Sequence, residues 1–376
     1  MGTEFLSDQF FRVINKSFPQ LSKYQKEMLA DLIAAFFHNQ SFTSREIASY
    51  FPQQTNVKHK LKRLNNFLDK FDLDLNFWKS FAATVFMLPF FKFRKRKYIS
   101  LAIDFTTLKD DFTILAASIS FKGRAIPIYQ KVWKGVYEPH DYWDRVKTFL
   151  EELKAILPEH KYWLLFDRGF SSKKLFDISD EIGWSNCIVR VNDCWKVQLS
   201  DGSEFIQLSL FDEGYYTNTT LGKQSKIEPV DITVTSMEDE KNETQKWYLA
   251  SRIEDRLPEE EMEKATRQAY ERRFWIEESF RDLKQHQKWE KYTAKIPKKH
   301  RIEKLVAISS LSYALQLCMG MKVRVPKSEE SKTSIAKRVQ QIMGQFSRVK
   351  GIVKTLIALF MCNCHRCYTI FYSFYG

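Results

Sequence analysis

The sequence has few of the residues that mark several common protein classes. Its 376 residues include six cysteines, which form no disulfide framework, so we expect a reducing compartment. Only 12 glycines and 10 prolines argue against collagen-like or low-complexity chains. No run approaches the roughly 18 to 20 apolar residues of a membrane span, and the first residues lack a secretory signal pattern. We therefore expect a cytoplasmic protein without a membrane partner, with Cys187, Cys194 and Cys318 in the core.

What the sequence has in excess is basic charge, and this charge is unevenly distributed. Hydrophobic residues make up 44% and charged residues 28%, as in a globular protein of two or three domains. The net charge is +13. Residues 1–97 hold 16 basic and 8 acidic side chains, residues 98–257 hold 20 and 26, and residues 258–376 hold 23 and 12. Two basic ends flank an acidic middle, which favours nucleic acid as a partner.

Residues 1–96 are predicted to form a helical DNA-binding domain. A capping-box pattern begins at Thr43, and a polar turn at 53–56 precedes a helix with one basic face. Helix, turn and basic helix outline a helix-turn-helix, although a three-helix bundle with a solvated basic face has the same pattern. A basic run at 92–97 marks the boundary, either as a phosphate contact or as a solvated linker. The cations of the basic face are Lys58, Lys60, Lys62 and Arg63.

From residue 97 the pattern becomes that of an α/β protein, and two predicted strands end in aspartate. Asp104 follows the first strand of a predicted three-stranded meander, and Asp167 follows the apolar strand 162–166. Carboxylates at the ends of neighbouring strands converge on one site and suit a hard cation such as Mg²⁺. Ordinary caps and turn formers would also explain an aspartate at each position.

A helix predicted over 259–289 carries a narrow polar stripe, after a β-rich insertion at 193–257. Apolar residues about 100° from the stripe would bury this helix against a core. The stripe adds a third carboxylate, and three carboxylates from separate segments are what two Mg²⁺ ions need to cut a phosphodiester. A charged face with i,i+4 pairs is the simpler interpretation. The stripe residues, which lie within about 60° of one another at about 100° per residue, are Tyr270, Arg273, Glu277 and Lys284.

These motifs resemble those of IS4-type DDE transposases, which bacterial insertion sequences encode. The most specific match is the spacing of the four stripe residues, which is the Y-R-E-K signature of that family. The segment 167–170, Asp-Arg-Gly-Phe, fits the family's DRG-aromatic motif at the second aspartate. Asp104, in AIDFTTL, fits a less specific motif at the first. The resemblance covers roughly residues 97–320, and the order of the motifs agrees along it.

The resemblance implies a fold and an activity. The fold is an RNase H-like core at 97–192 and 258–320, interrupted by the insertion and followed by a helical C-terminal segment at 321–376. The activity is Mg²⁺-dependent cleavage and strand transfer at terminal inverted repeats, by cut-and-paste through a DNA hairpin, with Mn²⁺ as a substitute for Mg²⁺. The partners are transposon ends, target DNA and a second subunit in a synaptic homodimer, in the nucleoid of a bacterial cell.

The resemblance also implies residue roles. Asp104, Asp167 and Glu277 match the metal-binding catalytic triad. In the family, a tryptophan on the last insertion strand stacks on DNA bases in the hairpin, and Trp247 fits that place, although a core tryptophan would fit it too. The other residues expected to contact DNA are Tyr270, Arg273, Lys284 and Arg168.

Some features of the chain depart from the family pattern. Asp104 and Asp167 are only 63 residues apart, and residues 1–96 match no family motif. The Cys- and His-rich tail at 362–367 is open to a zinc interpretation as well as to that of a packed or disordered tail. A DNA-binding regulator, an inactive remnant and another RNase H-like nuclease are alternative functions. The complete triad and the Tyr/Arg/Lys stripe favour the transposase.

Overall fold

The computed structural model has a mixed α/β fold, in which a helical N-terminal region precedes one large mixed sheet. The basic run at 92–96 and the predicted C-terminal segment with its Cys-rich tail lie outside the described residues. Within the described parts, no helix combines the length and apolar character needed to cross a membrane. The structure describes residues 3–38, 42–87, 97–109, 111–135, 141–238, 244–254, 257–285, 287–292 and 298–320.

Local capping sets the starts of several N-terminal helices. The side chain of Thr43 accepts a hydrogen bond from the backbone N–H of Glu46, as the capping-box pattern predicts, and Asn56 caps the next helix. That next helix is the predicted basic one. Its first residue, Val57, is exposed because it lies ahead of the residues that pack against the core. The helices are α1 (Thr3–Ser17), α2 (Lys23–His38), α3 (Ser44–Ser49), α4 (Val57–Lys70) and α5 (Leu75–Phe86).

The described strands form one ten-stranded sheet in the order β3-β2-β1-β4-β5-β10-β9-β8-β6-β7. Their bounds are β1 (Ile99–Leu108), β2 (Phe112–Phe121), β3 (Arg124–Lys134), β4 (Tyr162–Phe166), β5 (Cys187–Val191), β6 (Lys196–Gln198), β7 (Ile206–Gln207), β8 (Gly214–Leu221), β9 (Ile227–Glu238) and β10 (Thr244–Arg252). Strands β1 to β3 form the predicted antiparallel meander, while β4 runs parallel to β1 and to β5. The β-rich region extends this sheet, because β10 pairs antiparallel with β5.

Helices cover both faces of the sheet around β4. Leu164 and Phe166 pack in one cluster with side chains of α6 and α7, whereas Trp163 and Leu165 pack in a second cluster with α8, as expected from the alternation of side chains along a strand. Cys187 and Cys318 are buried as predicted, but Cys194 is exposed because it lies in the turn between β5 and β6. The remaining helices are α6 (Tyr142–Ile156), α7 (Lys173–Glu181), α8 (Glu259–Glu271), α9 (Trp275–Gln285) and α10 (Lys299–Gly320).

The single helix predicted over 259–289 is interrupted in the structure. A 3₁₀ turn at Arg272–Phe274 separates α8 from α9. This tighter turn lets the two helices lie against different parts of the sheet, with α8 over the apolar cluster of β4, β5 and β10, and α9 against β3. The prediction failed because periodicity along one segment contains no information about where each half packs.

Helix α10 joins the helical region to the sheet, since it packs against α2, α4 and β3. Arg301 donates to Asp69 at the end of α4 through Nε (2.7 Å) and Nη2 (2.5 Å), and these bonds hold the pKa of Asp69 well below its usual range. Lys304 Nζ donates to the carbonyl oxygen of Leu68 (2.6 Å). These contacts bind the C-terminal end of α4 to α10.

Candidate functional site

The two aspartates predicted at strand ends lie on neighbouring parallel strands. In the register of β1 and β4, Ile103 lies opposite Phe166, so Asp104 and Asp167 are the next residues on the two strands. Strand β1 continues to Leu108, so Asp104 lies within it, at the point where its pairing with β4 ends. Because partners in register share a face and successive residues alternate, both aspartates reach the face covered by α8 and α9.

Arg273 joins Asp104 to Glu277. Its Nη1 lies 3.1 Å from Asp104 Oδ2, and its Nη2 donates to Glu277 Oε1 at 2.5 Å. Arg273 belongs to the 3₁₀ turn between α8 and α9, which places its side chain over the sheet at the Asp104 position. The Arg273 side chain is 6% exposed, compared with 47% for Glu277. The structure thus brings three predicted site residues together, with the glutamate on the open side.

Asp104 is a mostly buried carboxyl with like charges nearby. Its pKa is raised to about 7, and burial is the largest cause. Arg273 acts in the opposite direction, while Asp167 and Glu277 contribute to the increase. The backbone N–H of Phe105 donates to its Oδ1 at 2.8 Å. Such a carboxyl changes its protonation state near neutral pH, which is common in functional sites.

Tyr270 and Trp247 lie in the apolar layer beside the carboxylates. The hydroxyl of Tyr270 is buried and has no hydrogen-bond partner within the described parts of the chain, and burial raises its pKa. The Trp247 ring meets the Tyr270 ring edge-on (centroids 5.5 Å apart) and stacks on Phe274 (5.0 Å). Trp247 is on β10, the last strand of the β-rich region, and its ring is buried as in the core interpretation.

The sequence reasoning missed one cation of the site, Arg190. The pairing of Phe166 with Val189 places Arg190 of β5 beside Asp167 in the same row of the sheet. Its guanidinium lies 5.0 Å from the centroid of the Trp247 ring, and burial lowers its pKa. No ion-pair partner of Arg190 is found among the described residues. An arginine inside the otherwise apolar strand Cys187–Val191 was the signal that could have found it.

A cleft of about 280 Å³ opens beside Asp104. Glu277 and Lys284 line it from α9, two turns apart on the face that the stripe predicted. Lys284 has no ion-pair partner in the part of the chain that the structure describes. The other lining residues are Phe105, Thr106, Phe280, Arg281, Gln285 and Glu290.

The oxygen donors of Asp104, Asp167 and Glu277 are of the type that Mg²⁺ and Mn²⁺ prefer. In the described residues, however, no three Asp, Glu, His or Cys side chains are placed so that they could hold a metal ion. The Arg273 guanidinium lies between Asp104 and Glu277 and binds both carboxylates. Asp167 accepts a hydrogen bond from the backbone N–H of Gly169 (2.9 Å). The three side chains thus supply oxygen donors of the right chemical type, and in this structure two of them are bound to Arg273.

The predicted DNA-binding cations outside this cluster are in different environments. Lys60 Nζ donates to the carbonyl oxygen of Phe51 (2.6 Å), and Arg63 lies 3.5 Å from Asp31. The remaining three predicted DNA contacts, Lys58 and Lys62 on α4 and Arg168 after β4, are exposed. Helix α4 therefore presents two exposed cations where the sequence predicted four, because α2 and the connection between α3 and α4 engage the other two.

In comparisons with known proteins, no protein-family model and no curated protein matches this chain. The likeness to IS4-type transposases therefore remains a resemblance of motifs, and the function is inferred from the residues and geometry of the site.

Proposed function

We propose that this protein is a DDE transposase with an RNase H-like core, which cleaves and joins DNA at the ends of its own insertion sequence. The observation that carries the proposal is the meeting of Asp104, Arg273 and Glu277 beside Asp167, from segments far apart in the chain. The antiparallel meander followed by two parallel strands supports an RNase H-like core. The element order, with two aspartates on strands, a β-rich region and then a glutamate on a helix, supports it too.

Asp104, Asp167 and Glu277 would hold the metal ions in this proposal. When bound there, Mg²⁺ would supply an activated water and would stabilise the departing 3′ oxygen of the cleaved strand. Asp104 must lose its proton before it binds a cation, because only the carboxylate is a ligand. Arg273 must leave both carboxylates, and its guanidinium is then available for a phosphate oxygen.

Cations on two sides of the carboxylates suit a bound DNA strand. Lys284 lies in the cleft beside Glu277, while Arg190 and the exposed Arg168 lie on the Asp167 side. A strand crossing the carboxylates would meet positive charge at both ends, which stabilises phosphates. The hydroxyl of Tyr270 is a further donor. Stacking of Trp247 on a DNA base would require its ring to leave Phe274.

The proposed partners are the transposon ends, target DNA and a second subunit of the same chain. Pairing of two ends in a synaptic complex requires this second subunit. The reaction would take place on DNA in the nucleoid of a bacterial cell.

A DNA-binding regulator without cleavage is the second candidate. The observation that favours it is the ion-pair cluster itself, since Arg273 occupies the space between Asp104 and Glu277. If Arg273 stays in place when DNA binds, the carboxylates cannot hold a metal ion. The two candidates therefore differ in whether divalent cations displace this arginine.

Incubation of the purified protein with the DNA flanking its reading frame, in Mg²⁺ or Mn²⁺, tests the proposal. We expect nicks and hairpins at the element ends, and no cleavage by Asp104→Ala or Glu277→Ala variants that still bind the ends in a mobility-shift assay. Cleavage retained by either variant would contradict the metal assignment. End binding by the wild-type protein without cleavage in either metal would favour the regulator.

A further inference from the structure

The hairpin between β2 and β3 holds α9 on the side away from the cleft. Lys122 and Gly123 both have positive φ (46° and 78°), as the two-residue loop of a type I′ hairpin requires. Phe121 and Arg124 pair across this loop. The tight turn therefore delivers Arg124 at the first position of β3, next to α9.

Arg124 links the sheet to two acidic residues of α9. Its Nε donates to Asp282 Oδ2 at 2.8 Å, and its Nη2 lies 3.6 Å from Glu278 Oε2. The hydroxyl of Tyr313, a buried residue of α10, donates to the same Asp282 oxygen at 3.0 Å. Asp282 therefore accepts hydrogen bonds both from a residue of the sheet and from a residue of α10.

Ser279 makes a second kind of attachment. Its Oγ accepts from the backbone N–H of Ala125 at 2.7 Å and donates to the carbonyl oxygen of Trp275 at 2.9 Å. Ala125 lies on β3, which is the outermost strand at this end of the sheet. Edge strands carry backbone groups without a strand partner. Ser279 accepts from one such group, the N–H of Ala125, and this bond joins α9 to β3.

These attachments restrain the rotation of α9 about its own axis. At about 100° per residue, Glu278, Asp282 and Ser279 lie about 100°, 140° and 200° around the helix from Glu277. A rotation of 20° would move a group about 6 Å from the axis by about 2 Å. Catalytic geometry tolerates displacements of only about 0.5 Å, so the direction of Glu277 depends on these contacts.

We propose that Arg124 and Asp282, together with Ser279 and Tyr313, are positioning residues that set the rotation of α9 and hold Glu277 towards Asp104. The inference rests on the proposed role of Glu277 as a metal ligand. None of the four residues lines the cleft, and none belongs to the motifs that carry the family resemblance.

The test compares Arg124→Met with Lys131→Met. Lys131 is also on β3, and it binds Glu152 of α6 at 3.0 Å, so its loss breaks an ion pair of the same strand whose partner is not on α9. This control pair is more exposed than the pair of Arg124 and Asp282. For each full-length variant, we would measure Mn²⁺ binding without DNA, the Mg²⁺ concentration for half-maximal cleavage, and the thermal unfolding midpoint. We expect Arg124→Met to weaken Mn²⁺ binding and raise the Mg²⁺ requirement by about tenfold or more. Lys131→Met should lower the midpoint and change neither metal measurement by more than about twofold.

Conservative variants separate positioning from folding. Arg124→Lys should recover part of the metal affinity, and Tyr313→Phe, which removes one hydroxyl, should shift both metal measurements in the same direction by a smaller factor. Equal metal measurements for Arg124→Met and Lys131→Met would overturn the positioning role. If Arg124→Met does not fold, unchanged metal measurements in Tyr313→Phe and Asp282→Asn would overturn it. If the wild-type protein binds no divalent cation, the proposed function and this inference are both wrong. If the wild-type protein cleaves DNA normally and the variants leave both metal measurements unchanged, only the inference is wrong.

Discussion

An aspartate in the helical region and an aspartate in the sheet each face an arginine. Asp31 of α2 lies 3.5 Å from Arg63, and Asp104 of β1 lies 3.1 Å from Arg273. Burial raises the pKa of both carboxyls. Both arginines were predicted from the sequence to contact DNA, so the two pairs offer a matched comparison.

The neighbours of the two carboxylates differ. Ser7 Oγ donates to one oxygen of Asp31 (2.5 Å) and Gln53 Nε2 to the other (2.8 Å), so neutral donors satisfy both. Asp104 has a single backbone donor and lies close enough to Asp167 and Glu277 for both to raise its pKa. Neutral donors stabilise a buried charge, whereas neighbouring like charges destabilise it. The surroundings of Asp31 thus suit a stabilising ion pair, whereas those of Asp104 suit the proposed binding of a cation.

Replacing each aspartate by asparagine gives the largest expected contrast. Asp104→Asn should reduce cleavage by about a thousandfold or more, because a proposed metal ligand is lost, without reducing the free energy of unfolding. Asp31→Asn should reduce the free energy of unfolding by about 1–3 kcal/mol, because one donor loses its charged acceptor, with normal cleavage per folded molecule. End-cleavage assays and urea denaturation measure the two effects, and a cleavage defect in folded Asp31→Asn would break the comparison.

The pH dependence of stability should also distinguish the two aspartates. The folded-state pKa of Asp104 is raised from 3.8 to about 7, so the folded protein binds more protons than the unfolded chain between these values. The contribution of Asp104 to stability is therefore present at low pH and is lost as pH rises to about 7. This loss lowers the free energy of unfolding by at most about 4 kcal/mol. Urea unfolding without divalent cations should show this loss in the wild type, and Asp104→Asn should remove it. If the variant retained the full slope between pH 4 and 7, another group would be responsible.

Arg63→Met tests the structural role assigned to the pair in the helical region. We expect a decrease in the free energy of unfolding of about 1 kcal/mol, because Asp31 keeps its bonds to Ser7 and Gln53. The dependence of DNA affinity on salt should not change. Lys62→Met, at an exposed position of the same helix, is the control and should leave stability unchanged. A smaller salt slope in Arg63→Met would show that this arginine contacts phosphate after all.

The smallest expected effect concerns single half-buried lysines. Lys284→Ala should weaken binding to a precleaved end and lower the slope of log affinity against log salt by about 1, since Lys284 lies in the cleft beside Glu277. Lys60→Ala should leave the slope unchanged, because Lys60 is engaged with the carbonyl oxygen of Phe51. Equal slopes for both variants would argue against a phosphate contact at Lys284.

The sequence alone determined the features that depend on neighbouring residues. The cap at Thr43, the meander of β1 to β3 and the apolar strand before Asp167 were all predictable, because capping and periodicity operate within a few residues. The spacing of Glu277 and Lys284 likewise predicted that both would lie on one face of a helix, where both line the cleft.

Tertiary structure decided which of the predicted cations are available to a partner. Arg63 occurs in a basic helical pattern and Arg273 in a polar helical stripe. Their partners, Asp31 and Asp104, lie 32 and 169 residues away along the chain. The break between α8 and α9, and the place of Arg190 beside Asp167, also depend on how the helices and β5 pack in the sheet. Helical periodicity reports which side chains share a face. The electrostatic environment of a buried charge depends on every segment packed around it.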